Sequence, residues 1–253
     1  TSVAGITSAG YNTLDRWLLG NTNGGTWTQS QEALTADEAY EDGFSTALKM
    51  DCTTADASLG AADNLILQQR IEGQDLQLLK FGSSTSATLT LGFWVKSTKT
   101  GTCIAELYQT DDTRSCSQSY TIDTTDTWEY KVLNYPVDTT GVIDNNNGTG
   151  LTVLFWMAAG TNFTSGSLNT TWGTATAANR AVGQVNCADS DSNNFHITGV
   201  QLEVGEYTSS TLPPFRHESY GDNLARCQRY FYQIGWGLNG AGGSVTSGVG
   251  QFY

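Results

Sequence analysis

Along much of this chain, apolar and polar residues alternate with a period of two. From Ala87 to Lys96, Leu89, Leu91, Phe93 and Val95 fall on one side, and Thr88, Thr90, Trp94 and Lys96 on the other. That is the pattern of a strand with one face on a core. Residues 127–137 predict a second strand, with Trp128, Tyr130 and Val132 sharing a face. The run Leu151 to Ala158 (LTVLFWMA) is apolar on both faces, which predicts a central strand covered on both sides. Phe195 to Val204 reads as a strand of mixed faces, and Phe44–Cys52 and Gly101–Gln109 as further strands.

Polar turns separate these runs. Asp111 and Asp112 mark one turn, and Asp144-Asn145-Asn146-Asn147-Gly148 a loop tip, because Asn and Gly tolerate positive φ. Thr161–Ala178 is a long Ser/Thr/Asn/Gly loop carrying Phe163 and Trp172, and long loops on a rigid scaffold often carry function. No fixed-period repeat and no long helical pattern interrupts the series. About eight strands joined by such turns predict an all-β fold, a jelly-roll β-sandwich over residues 1–212.

The register breaks at Leu212-Pro213-Pro214-Phe215, where two prolines end a strand and begin an extended linker. Residues 213–253 then predict a linker and a short helix over Tyr220–Gln228, capped by Gly221 or Asp222, with Leu224 and Cys227 on one side. Arg229–Gly235 reads as a strand opening a second, partial β-rich element, and Gly237–Gly250 as a Gly-rich stretch.

Composition narrows the function. The net charge of −13 argues against nucleic acid, whose phosphates need a basic surface, and against anionic membranes. No apolar stretch approaches the ~20 residues that insert across a bilayer. The acidic run Asp37–Asp42 reads as a solvated loop. The sequence opens at Thr1 without a secretion signal, which decides nothing about export. Its five cysteines (52, 103, 116, 187 and 227) are odd in number and match no zinc spacing. Buried, reduced thiols are the plainer expectation; a Cys103–Cys116 link across a hairpin is the alternative.

Candidate chemistry is sparse, and the chain reads as non-enzymatic. His196 lies in a strand and His217 in a linker, and no G-x-S-x-G occurs. Glycosidase chemistry needs two carboxylates facing across a cleft. Glu72, Glu106, Glu129 and Glu203 sit in or beside strands instead, where a solvent-facing structural role is expected. The run from Asp189 through Asp191 to Asn193 has the alternating oxygens of an EF-hand start, but Asn194 and Val200 stand where Gly and Glu are required. A polar turn, or a looser structural calcium site through Asp189 and Asp191, fits this segment; no other cofactor is indicated. Asn147, Asn162 and Asn169 begin glycosylation triplets, which chance explains in a chain of this composition. The remaining candidates are aromatic: Trp94, aimed away from the core face of its strand, and Trp172 and Phe163 in the long loop. Each can stack on a sugar ring, or simply cover the sandwich or a subunit interface. Trp17 reads as core.

Several segments in order carry a resemblance. They are Asp15-Arg16-Trp17; Gln69-Arg70-Ile71-Glu72-Gly73 before the apolar turn Leu76–Leu79; Leu91 to Ser97; Thr127-Trp128-Glu129; Ile197 to Gly205; Pro214-Phe215-Arg216; and Tyr220 to Tyr230. This succession resembles a family of phage virion and tail-fibre-like proteins whose main domain is similar to carbohydrate-binding-module jelly rolls. The likeness spans roughly residues 11–235, with Arg216 where the family usually has an acidic residue. The resemblance implies a virion structural protein on the particle surface, a tail-fibre or appendage subunit. Its implied partners are its own copies as a homo-oligomer (a homotrimer), other virion proteins and a host-surface glycan. A capsid decoration or head fibre without receptor role, and a secreted glycan-binding module, are the alternatives.

Overall fold

The computed structural model describes residues 2–12 and 16–230. Thirteen strands follow in chain order: β1 (Ser2–Ile6), β2 (Gly10–Tyr11), β3 (Trp17–Thr22), β4 (Thr26–Ala33), β5 (Thr46–Thr54), β6 (Asn64–Glu72), β7 (Leu89–Ser97), β8 (Gly101–Gln109), β9 (Arg114–Ile122), β10 (Glu129–Tyr135), β11 (Thr149–Ala159), β12 (Gly173–Thr174) and β13 (Asn194–Val204). Three short helices, α1 (Glu38–Glu41), α2 (Thr161–Thr164) and α3 (Tyr220–Tyr230), and two 3₁₀ turns, Gly73–Leu79 and Ala177–Asn179, complete the described elements.

The strands form two antiparallel sheets. One runs β1-β4-β5-β13-β7-β10, the other β12-β9-β8-β11-β6-β3-β2. The chain alternates between them: β6 lies in the second, β7 in the first, β8 and β9 in the second, β10 in the first, β11 in the second and β13 in the first. This is an all-β jelly-roll sandwich. The chain divides into two compact units, Thr1–Pro213 and Pro214–Tyr253, and the sandwich is the first.

Period-two alternation explains the core. Leu89, Leu91, Phe93 and Val95 of β7 are buried, facing Leu65 and Leu67 of β6 and Leu151, Val153 and Phe155 of β11 in one apolar cluster. Phe93 is the hinge of this contact: its ring meets Phe155 at 4.9 Å and Tyr120 at 5.1 Å, both edge to face, a geometry aromatic quadrupoles favour. Thr90, like its neighbour Gly92, departs from the pattern on the other face of β7. It is buried, because its hydroxyl donates to Gly205 O at 2.8 Å and accepts from Tyr207 N at 3.1 Å.

The mixed faces of β13 have a local cause. Phe195 and Ile197 are core residues, and so are the partly buried Val200 and Leu202. Their parity changes because the pairing with β7 shifts register between Thr198 and Gln201. Gly199 sits in that bulge at φ 59°, and a Cβ there would lie 2.6 Å from the Phe44 ring; only glycine fits. Phe44 in turn anchors the acidic segment, whose Glu38, Glu41 and Asp42 are exposed as expected of a solvated run, but which forms the short helix α1 and not a loop. Asp37 caps α1 by accepting from Tyr40 N at 2.8 Å, while Ala39 and Phe44 are buried.

All five cysteines are free thiols, four of them buried. Register excludes the hairpin link, since β8 and β9 pair Cys103 with Tyr120 and Cys116 with Leu107. Burial pushes the Cys116 thiol up to about 12. In the second unit, α3 starts at Tyr220 as predicted, but Ser219 caps it in place of Gly221 or Asp222. Ser219 Oγ accepts from Asp222 N at 3.2 Å, which satisfies one orphan donor of the first turn, and donates to Asp222 Oδ2 at 2.7 Å. Arg229 and Tyr230 belong to this helix; the rest of the predicted strand and the Gly-rich stretch lie outside the described residues.

Truncating the inter-sheet contact should be severe. Phe93→Ala is expected to lower unfolding stability by about 3–5 kcal/mol, measured by urea denaturation. A loss below about 1 kcal/mol would mean that the two sheets do not meet through this ring.

Candidate functional site

Register lays out the outer face of the seven-stranded sheet row by row. Leu154 of β11 pairs with Gln68 of β6 on one side and Glu106 of β8 on the other. One pair further along, Thr152 lies between Arg70 and Tyr108 in the same way. Ile66, Gln68, Arg70, Tyr108, Thr152 and Leu154 therefore project together from three adjacent strands, and with Thr110, Thr149 and Arg180 they line a groove of about 390 Å³.

The wall of the groove comes from the long loop after β11. Its backbone folds on itself through Gly166 N to Ala178 O at 2.9 Å and Ala181 N to Phe163 O at 3.0 Å. It is tied to β9 by Ser117 N to Asn169 O at 2.7 Å and Ser117 Oγ to Arg180 O at 2.8 Å. These bonds fix the point from which Arg180 reaches the sheet. Trp156, Ile66, Ile104, Leu154 and Ala181 form a second apolar cluster beneath the loop, with Phe163 and Leu168 packed against it. This explains why β11 is apolar on both faces: one face meets the opposite sheet and the other meets this loop.

Glu106 shares this outer face but does not line the groove; it lies beside Arg180 and is fully buried. Arg180 donates to it from Nε to Oε1 at 2.8 Å and from Nη2 to Oε2 at 3.0 Å, and Trp156 Nε1 donates to Oε2 at 3.0 Å. The guanidinium also covers two rings, 4.9 Å from Tyr108 and 5.3 Å from Trp156. Burial pushes the Glu106 carboxyl up from the usual carboxylate range, against the opposing pull of Arg180 and Trp156. The expectation of a solvent-facing Glu106 is thus corrected: sequence alternation placed it on the outer face, but the loop covers it.

The aromatic candidates are dispersed. Trp172 is a core residue instead of a sugar platform. It is 9% exposed, donates to Pro136 O at 2.9 Å and meets Phe81 edge to face at 5.2 Å. Arg114 fixes this corner by pairing with Asp138 through Nε and Nη2 and donating to Trp172 O. Phe163 is half-buried, 5.3 Å from Trp156, and roofs the apolar end of the outer face. Trp94 lies on the outer face of the other sheet, half-buried against Tyr130 at 5.3 Å and donating to Asp42 Oδ2 at 3.2 Å. Trp17 packs on the core, 6.1 Å from Phe155.

His196 does not line the groove. His196, 2% exposed, lies under Trp128 with Nδ1 at 2.5 Å from Glu32; burial pushes its imidazole down, against the pull of Glu32. Asp189 pairs with Lys99 and accepts from Asn193 Nδ2 at 2.7 Å. Asp191 is exposed. Among the described residues, no cluster of three or more His, Cys, Asp or Glu side chains is arranged to hold a metal.

Sequence reading passed over Gln68, Arg70, Tyr108 and Arg180. The outward set of Gly101–Gln109 was available in its alternation, with Ile104, Glu106 and Tyr108 on one face. What no local pattern supplies is the delivery of Arg180, which is 74 residues from Glu106.

No protein-family model matches this chain, and no curated protein does. Similar solved structures include a protein from Bacteroides thetaiotaomicron provisionally described as sugar-binding (16% identity, TM-score 0.42, covering 79% of this chain and 92% of that one). Another contains the CBM22-1 and GH10 modules of Clostridium thermocellum xylanase 10B with xylohexaose (11%, TM-score 0.37, covering 82% and 28%). A third is the enzymatically active domain of tailspike protein 4 of bacteriophage CBA120 (16%, TM-score 0.38, covering 75% of this chain). The match spans only 19% of that tailspike chain. These scores are low, and the likenesses carry no functional argument.

The buried pair gives a test of the site's construction. Arg180→Ala should destabilise the chain by about 3–5 kcal/mol, because it leaves a carboxylate buried without its cation. The double variant Glu106→Gln/Arg180→Ala should recover part of that loss. Equal melting of wild type and Arg180→Ala in differential scanning calorimetry would contradict the pairing.

Proposed function

We propose that this chain is a non-catalytic carbohydrate-binding module whose sugar site is the groove on the seven-stranded sheet. The observation that carries this reading is the set of groups in one walled depression: the half-buried Tyr108 ring, the Gln68 amide, the Arg70 guanidinium and the Thr110, Thr149 and Thr152 hydroxyls. Sugars present apolar C–H faces edged by hydroxyls, and an aromatic ring with fixed polar neighbours matches both. The groove also suits retention over cleavage. No Asp or Glu lines it, and the nearby Glu106 is locked by Arg180 and Trp156, whereas glycosidases use a facing pair of carboxylates.

Tyr108→Ala is expected to abolish binding on a glycan array, while Trp94→Ala keeps it. The opposite result would move the sugar to the face carrying Trp94 and Tyr130. Absence of binding by wild type at millimolar sugar would remove the reading altogether.

The finer reading is that of a phage tail-fibre or appendage subunit, exposed on the particle as a homotrimer and in contact with a host-surface glycan. Its support is the ordered sequence resemblance from Asp15-Arg16-Trp17 to Cys227-Gln228-Arg229-Tyr230. Light scattering of the full chain is expected to give the mass of a symmetric oligomer; a strict monomer would favour a secreted module.

A further inference from the structure

We propose that the groove selects anionic sugars, uronates or sulfated residues, and that Arg70 reads their charge; this rests on the groove being the glycan site. The chain has 25 acidic residues against 12 lysines and arginines, so a cation without a counter-charge is unusual in it. Lys49, Lys96, Lys99, Arg114, Lys131, Arg180 and Arg226 lie in ion pairs; of the cations outside these pairs, Arg70 is the one that lines the groove. Arg70 is exposed on the groove. Among the described residues, no side-chain hydrogen bond or ion pair engages it.

The surroundings leave that charge available. No Asp or Glu lines the groove. Glu106, nearby, is already matched by Arg180, and Glu72, two residues along β6, is turned to Gln74 Nε2 and forms no ion pair with Arg70. The chain's overall negative charge does not cancel this local field. The Debye length at physiological salt is about 8 Å, so more distant exposed carboxylates are largely screened.

A guanidinium presents two parallel N–H donors that match the paired oxygens of a carboxylate or a sulfate. Next to Arg70, Thr152 and Tyr108 continue the row across the sheet, with Gln68 on the neighbouring row. The charged substituent would meet Arg70 while the ring hydroxyls met the threonines and the amide.

The test is an array in which each uronate glycan is printed beside its methyl ester, and each sulfated glycan beside its desulfated form. Wild type is expected to bind at least one acidic member about tenfold or more tightly than its neutral counterpart, with the ratio falling as salt rises. Whether uronates or sulfated sugars show the preference identifies the source of the anion. Arg70→Gln should bring the ratio to near one and Arg70→Lys should restore part of it, with melting temperature checking the fold of each variant. Equal binding of charged and neutral members, or an unchanged ratio in Arg70→Gln, overturns the selectivity while leaving the glycan site standing. No binding of any member overturns the glycan site itself.

Discussion

A carboxylate without water around it is tolerable only beside a cation and donors that replace the lost hydration. Glu106 is in that position, and the arrangement of the whole outer face follows from it. Its cation must come from elsewhere in the chain, so the loop after β11 has to fold back over the sheet and hold Arg180 in place. Trp156, which donates the third hydrogen bond, has to stand next to it on β11. Once these three side chains meet, the loop has one seat, β11 is buried on both faces, and the groove has a wall.

The groove beside this node is made by register. Side chains two apart on β6, β8 and β11 share a face, and the ladders align Gln68, Leu154 and Glu106 in one row and Arg70, Thr152 and Tyr108 in the next. A slip of one residue in either ladder would send Tyr108 and Arg70 into the core. The large apolar commitment on the opposite face of these strands, through Phe155 to Phe93, opposes such a slip. Core packing thus specifies the positions of polar residues that never touch the core.

Alternation in the sequence foretold the sandwich where strands are one-sided and apolar. Leu89, Leu91, Phe93 and Val95 fall inside, and Gly101–Gln109 has the predicted bounds. It failed where strands are polar or short. Arg114–Ile122, rich in serine, has few large apolar residues, yet pairs along its length with β8. The mixed pattern of Phe195–Val204 needed the bulge at Gly199 to be understood. Trp172 looked like a loop aromatic because the path of the chain from Trp172 back to Phe81 and Pro136 is a tertiary fact. The site was the least legible feature of all. Tyr108 and Glu106 alternate visibly, but the meeting of Glu106 with Arg180 has no local signature.

The central claim is that sugar is held on the seven-stranded sheet, between the row of Arg70 and Tyr108 and the wall that carries Arg180. A crystal structure of the chain soaked with an oligosaccharide chosen by array binding tests this most directly. The account predicts electron density for a sugar ring against Tyr108, with polar contacts to Gln68, Arg70 or Thr152. Density instead over Trp94 and Tyr130, on the other side of the sandwich, would contradict it.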